Sequence, residues 1–192
     1  MIWNDRDLKS LSLTDFRSRL AVVMQDYAHF PASLRENVGW GCLPKLADDA
    51  AIEAALQQVG MMSLLDSSDQ GLETPLSKQF ENGIDLSGGQ WQRIAISRAL
   101  LRLSEAELVI FDEPTAAIDP KNEHDIYEIL RGITKERMSV VISHRLGLAK
   151  IADRVVVMER GRIIVEEGSH EELMLQGGLY HTMFVRQMSY YQ

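Results

Sequence analysis

The chain has 192 residues, 45% hydrophobic and 25% charged, which supplies enough apolar side chains for a core and excludes a disordered chain. Its formal net charge of −8 at pH 7 argues against a surface for nucleic acid or anionic lipid. The single cysteine, Cys42, excludes an internal disulfide and favours a reducing compartment. No apolar signal segment opens the chain, and no apolar run approaches the roughly 20 residues that span a bilayer.

The first predicted elements are a strand and two helices. An apolar run over residues 20–24 follows a polar, irregular start and predicts a buried strand that ends at Gln25. Ser33 is placed to cap a short helix, and the apolar spacing over 48–59 predicts a longer one. Residues 66–85 are rich in Ser, Asp, Gly and Asn, which predicts a long loop.

The middle of the chain alternates between helices and strands. Apolar spacing predicts a helix over 90–103, and the short apolar run over 108–111 predicts a buried parallel strand. A helix over 121–136 and a second buried parallel strand over 139–143 follow. The segment 33–104 would therefore be a largely helical insertion between strands.

The last predicted elements are a hairpin and two short helices. The apolar runs 155–159 and 162–166 flank Arg160 and Gly161, which predicts two strands joined by a tight turn. Alternating strands and helices along the chain predict an α/β fold with a mostly parallel sheet.

The most informative motif is Leu-Ser-Gly-Gly-Gln at residues 86–90, where the helix predicted over 90–103 opens. Gly88 and Gly89 let the backbone approach a ligand, while the free amides and the helix dipole favour phosphate after Ser87. A phosphate-binding loop of the G-x-x-x-x-G-K-[ST] kind would add a lysine, yet lysine follows none of the 13 glycines. The sequence thus predicts a phosphate contact but lacks the lysine that usually neutralises the phosphate charge.

Two carboxylates, Asp112 and Glu113, follow the strand predicted over 108–111. The carboxyl ends of parallel strands are where α/β sheets bind ligands. One acid there can hold Mg²⁺ while its neighbour polarises an attacking water. The alternative is a pair of ordinary turn or helix-capping acids before Pro114.

Three further polar residues stand at element ends. His144 follows the strand predicted over 139–143 and could donate to a phosphate oxygen or hold a catalytic acid in place. Gln25 could reach Mg²⁺ and water, although most glutamines at strand ends only face solvent. Asp119 could simply cap the next helix. An ordinary surface position is the preferred interpretation for the other histidines, His29, His124, His170 and His181.

Taken together, the motifs resemble the nucleotide-binding domain of ATP-binding-cassette (ABC) transporters, in the family's own order and over essentially the whole chain. The matching elements are the Q-loop at Gln25, the signature motif at 86–90, the Walker B acids Asp112 and Glu113, the D-loop at 116–119 and the switch histidine His144. The resemblance implies a P-loop NTPase-type core without its N-terminal Walker A part. It divides the chain into 1–32, 33–104 with the signature, and 105–192.

The resemblance also implies ATP and Mg²⁺ as cofactors. Glu113 and His144 would be catalytic, and Asp112 and Gln25 would face the metal. The nucleotide-binding residues would be Gln25, Ser87, Gly88, Gly89, Gln90 and Asp119. In this family two domains face each other, so the signature of one meets the nucleotide held by the other.

The implied partners are a second nucleotide-binding domain, identical or different, and the transmembrane domain of an exporter, with no nucleic acid. Asn37-Val38 and the ending 168–173 resemble the exporter branch, and 80–83 resemble peptide and bacteriocin exporters. Residues 33–37 would lie close to the transmembrane domain. The implied location is the cytoplasmic face of the plasma membrane, through that partner.

The missing Gly-Lys leaves three hypotheses. The first is a carboxyl-terminal piece of an exporter ATPase, without independent hydrolysis because nothing cradles the phosphates. The second is a non-hydrolysing subunit that donates its signature in trans, or an inactive gene fragment. The third, a chromosome-maintenance or DNA-repair ATPase, is disfavoured by the acidic charge and by the lack of a sustained heptad run.

Overall fold

The computed structural model describes residues 2–3, 5–66, 68–115, 123–135 and 137–189, with the backbone alone for 162–164. Within these ranges the chain forms two units, Met1–Ile142 and Ser143–Gln192. In chain order the strands and α-helices are β1 (Ile2–Trp3), β2 (Arg6–Asp7), α1 (Leu13–Ser18), β3 (Leu20–Val23), α2 (Leu34–Gly39), α3 (Asp49–Gln58), α4 (Met62–Asp66), α5 (Gly88–Arg102), β4 (Leu108–Asp112), α6 (Glu123–Thr134), β5 (Met138–Ile142), β6 (Val155–Glu159), β7 (Arg162–Gly168), α7 (His170–Gln176) and α8 (Leu179–Ser189).

The first unit is built on a parallel sheet in the order β3-β4-β5. Val23 lies opposite Phe111, and Asp112 lies opposite Ile142. The three strands therefore run in one direction, and their carboxyl ends meet at one edge of the sheet. This confirms the predicted α/β fold with a parallel sheet.

Burial differs between the strands of this sheet. Val109 and Phe111 of β4 are fully buried, as the apolar run predicts. The parallel strand predicted over 139–143 is confirmed as β5, but its predicted burial is wrong, because Val140 is 46% exposed and Ile142 is 51% exposed. β5 pairs with one neighbour only within the described sheet, so an apolar run there does not imply cover on both faces.

A helical segment lies between β3 and β4. Ser33 caps α2 and Ser87 caps α5, each through a reciprocal capping box. Leu34, Leu56 and Ile94 are fully buried and form part of its core. The predicted long loop contains a short 3-10 turn, Gly71–Glu73.

The start of the chain is more ordered than its polar sequence predicts. The Trp3 ring packs edge-on against Phe16, with centroids 5.3 Å apart, and the Trp3 indole donates to a Glu107 carboxylate oxygen at 3.2 Å. Ser12 caps α1 by accepting a hydrogen bond from the Asp15 amide at 3.0 Å. Elements of two and six residues are too short to show a periodicity, so no sequence pattern predicts them.

The second unit contains the predicted hairpin β6–β7 and the two closing helices. Arg160 and Gly161 have φ values of 52° and 69°, which suits the tight turns that match strand twist. Its core consists of Val157, Leu173, Tyr180 and Phe184. In the described ranges, no helix combines the length and the hydropathy that crossing a membrane requires.

Candidate functional site

The signature turn is the first turn of α5. The Gln90 amide donates to Ser87 Oγ at 3.3 Å, and the Gln90 side-chain oxygen accepts from the Ser87 amide at 2.9 Å. This box uses the serine and glutamine side chains, while the amides of Gly88 and Gly89 have no acceptor within the helix. No acidic residue stands in this turn, so the positive end of the helix dipole is not neutralised there.

The turn faces outward. Ser87 and Gly88 are exposed, and Gly89 is partly exposed. A Cβ atom built on Gly89 would meet nothing within 4 Å in the described part of the chain. Packing inside this chain therefore does not require glycine at this position, although close approach of a ligand from outside would.

A half-buried arginine anchors α5 further along the helix. The Arg98 guanidinium donates to the carbonyls of Asn37 at 2.6 Å and Ala28 at 2.8 Å, and to Asn37 Oδ1 at 2.9 Å. Burial lowers the pKa of Arg98 to about 10, so the group stays charged near neutral pH. These bonds hold α5 to α2 and to the segment that follows Gln25.

The carboxyl edge of the sheet carries the predicted acids. Asp112 ends β4, and Glu113 follows it with its amide donating to the Ile142 carbonyl at 2.9 Å. Glu113 has a φ of 50°, in the left-handed region that non-glycine residues seldom adopt. Both side chains are partly exposed, so they are accessible to a ligand. No sequence pattern indicates this strained backbone.

Gln25 belongs to the same edge. It follows β3 by two residues, just as Glu113 follows the paired residue Phe111 by two. The Gln25 side chain is exposed. The parallel register thus directs the ends of β3 and β4 to the same edge.

These residues suit a metal that is held partly by a phosphate. Within the described ranges no cluster of three or more His, Cys, Asp or Glu side chains forms a metal cage. Mg²⁺ in nucleotide sites takes one or two protein ligands besides water and phosphate oxygens. Asp112 and Gln25 provide oxygen atoms of the types that such a shared site uses.

The roles of two further site residues, Asp119 and His144, stay predictions. Asp119 and the rest of the D-loop at 116–119 lie outside the described residues. His144 belongs to the second unit, where its side chain is exposed and its carbonyl accepts from Gln187 Nε2 at 2.8 Å. The catalytic role of His144 stays a prediction.

Two histidines that the sequence gives no special role make specific contacts. The exposed His29 ring stacks on Trp91, with centroids 4.4 Å apart and planes 9° apart. In the second unit, His170 Nδ1 lies 2.7 Å from the Tyr180 hydroxyl. Each contact joins residues of different segments of the chain, so no local pattern indicates it.

Comparisons with known proteins place the chain in a family of nucleotide-driven transporters. The family model described as "ABC transporter" matches residues 1–116, and the chain belongs to this family. It is 40% identical over 181 residues to an ATP-dependent lipid A-core flippase of Bordetella avium, covering 94% of this chain and 29% of the flippase. It is 38% identical over 180 residues to the subtilin transport ATP-binding protein SpaT of Bacillus subtilis, covering 94% and 29% of the two chains.

A solved structure shows the same fold. A bacterial Atm1-family ABC exporter with ATP bound superimposes with a TM-score of 0.82 and 31% identity, over 96% of this chain and 31% of the exporter chain. The P-loop NTPase-type fold of an exporter nucleotide-binding domain is thereby confirmed. The chain spans less than a third of the length of these relatives.

Proposed function

We propose that this chain is the signature-bearing part of an exporter ATPase domain, which couples ATP binding and hydrolysis to export of a substrate across a membrane. The observation that carries the proposal is the outward-facing first turn of α5, where Gly89 has open space and no acidic residue neutralises the helix dipole. Such a turn suits a phosphate that approaches from outside this chain.

The proposed chemistry divides between two nucleotides. Ser87, Gly88, Gly89 and Gln90 would contact the triphosphate held by a facing domain. At the sheet edge, Asp112 and Gln25 would supply oxygen ligands, and Glu113 would polarise the attacking water. His144 would contact the γ-phosphate, and Asp119 would contribute to the nucleotide site. Bound Mg²⁺ would neutralise phosphate charge.

The proposal includes two protein partners. A second nucleotide-binding domain would face the signature turn, and a transmembrane domain would contact the region of α2. The chain would then work at the cytoplasmic face of the plasma membrane. The family and the exporters that this chain is similar to support both partners.

The test adds the purified chain to a cassette domain that has an intact phosphate-binding loop and a disabled signature. We expect the chain to raise ATP turnover in this mixture, because it supplies the missing turn. The variant Gly89→Ala should lose the effect, since a methyl group there blocks phosphate approach without a clash inside the chain.

A matched control is Gly132→Ala in α6. Gly132 is also a helical glycine, and among the described residues nothing lies within 4 Å of the position that its added methyl group would take. It should leave the stimulation unchanged. Equal stimulation by Gly89→Ala and the parent chain would contradict the proposed signature contact. Turnover by the chain alone would instead indicate that it holds its own nucleotide.

A further inference from the structure

Residues 27–29, which follow Gln25, contact α5 through two hydrogen bonds and a ring stack. The Tyr27 hydroxyl donates to the Gly88 carbonyl at 3.1 Å. Two residues later, the His29 ring lies flat on the Trp91 ring at 4.4 Å. The Arg98 guanidinium donates to the Ala28 carbonyl at 2.8 Å.

The α5 residues in these contacts lie on one face of the helix. Gly88, Trp91 and Arg98 are three and seven residues apart, a spacing that places them on one side of a helix. Trp91 is 6% exposed, so it offers His29 a fixed surface. Arg98 is further held by Asn37, which ties this face to α2.

The residues that contact α5 lie only a few positions after β3 in the chain. Tyr27 stands two residues after Gln25 and four after Val23, the last residue of β3. Burial raises the pKa of the Tyr27 phenol, so the hydroxyl keeps its proton and remains a donor near neutral pH. A chain of four residues spans at most about 14 Å, so Tyr27 stays within that distance of the strand end.

We propose that Tyr27 and His29 are positioning residues that fix the signature turn relative to the strand end carrying Gln25. The functional part of this inference rests on the proposed function, in which Gln25 and the turn face two different nucleotides. The contacts then make the two sites move together, so that a shift at one strand end changes how the turn meets the facing nucleotide.

The first experiment measures amide hydrogen exchange of residues 90–92 in the full chain. Tyr27→Phe removes only the hydroxyl, and His29→Ala removes the stacked ring. Each should speed exchange there by about three- to tenfold, the range expected for one lost neutral hydrogen bond or a comparable contact. His29→Phe keeps a flat ring on Trp91 and should restore the parent rate.

The controls remove the same groups elsewhere in the first unit. Tyr127→Phe removes a hydroxyl that donates to Glu123 at 2.8 Å, and His124→Ala removes an exposed ring from α6. Neither should change exchange at residues 90–92. Parent-like exchange in both Tyr27→Phe and His29→Ala would overturn the positioning contact.

The second experiment repeats the stimulation of the cassette domain that lacks a working signature. Tyr27→Phe and His29→Ala should raise the chain concentration for half-maximal stimulation by about three- to tenfold, with the maximal turnover retained. His29→Phe should behave like the parent chain. Unchanged stimulation despite faster exchange would overturn the functional part. A parent chain that does not stimulate would overturn the proposed function, and the exchange rates then decide the positioning contact alone.

Discussion

Two helices of this chain begin with the same hydrogen-bonded cap, but the charge of their first turns differs. Ser87 and Gln90 close the start of α5, whereas Ser169 and Glu172 close the start of α7. The first turn of α7 contains two glutamates, and that of α5 contains no acid. Acids neutralise the positive end of the helix dipole at α7, while at α5 it remains open to an external anion.

At these two helix starts, the cap that best stabilises the helix is not the cap that best suits binding of an external anion. A capping box with glutamate satisfies the backbone and also favours the dipole, so α7 has the more stable arrangement for the helix alone. The glutamine in α5 keeps the two hydrogen bonds without adding charge. Under the proposed function, a carboxylate at residue 90 would repel the facing phosphate, and the neutral box avoids this.

The largest expected effect is an exchange of these two residues. Gln90→Glu should preserve the capping box and make α5 at least as stable as before, because a glutamate there also favours the helix dipole. It should nevertheless weaken the interaction with a facing triphosphate on the order of a hundredfold. This factor corresponds to two like charges about 5 Å apart in a partly screened site. The measurement is stimulation of the cassette domain that lacks a working signature. The control is Glu172→Gln, which should leave stimulation unchanged.

The next effect is loss of the caps themselves. Ser87→Ala and Ser169→Ala should each destabilise the affected helix by about 1 kcal/mol, because one amide of the first turn loses its acceptor. Amide exchange resolved along α5 and α7 measures each loss separately. Stimulation should fall in Ser87→Ala alone, and a fall in both variants would show that general destabilisation explains the effect.

Much of this comparison can be predicted from the sequence. Ser-Gly-Gly-Gln before a helical pattern, and Ser-x-x-Glu at 169–172, are local signals that specify a cap. The strand and its acids at 108–113 are also local. The exposure of β5 cannot be predicted from a local signal, because an apolar run does not indicate whether neighbouring elements cover the strand. The His29–Trp91 stack joins residues 62 positions apart by their numbers, so it depends on tertiary packing.

The smallest effect concerns His29, the histidine that stacks close to the start of α5. Burial and the charge of Arg98 lower the pKa of His29 below its ordinary value of 6.5. The His29 ring therefore binds a proton more readily in the unfolded chain than in the folded chain. The contribution of neutral His29 to the free energy of unfolding is present above about pH 6.5, and it is lost as the pH falls below that value. Urea unfolding of the parent and His29→Phe from about pH 7.5 to 5 measures the change. The pH dependence should be weaker in His29→Phe, and an equal dependence would contradict the assignment.

The backbone of Glu113 bears on the role proposed for its side chain. A left-handed conformation costs a non-glycine residue roughly 1 kcal/mol, and glycine or asparagine would adopt it more easily. A chain that did not use this carboxylate would gain stability by substituting it. Under the proposed function, this local cost is offset by the carboxylate that polarises the attacking water.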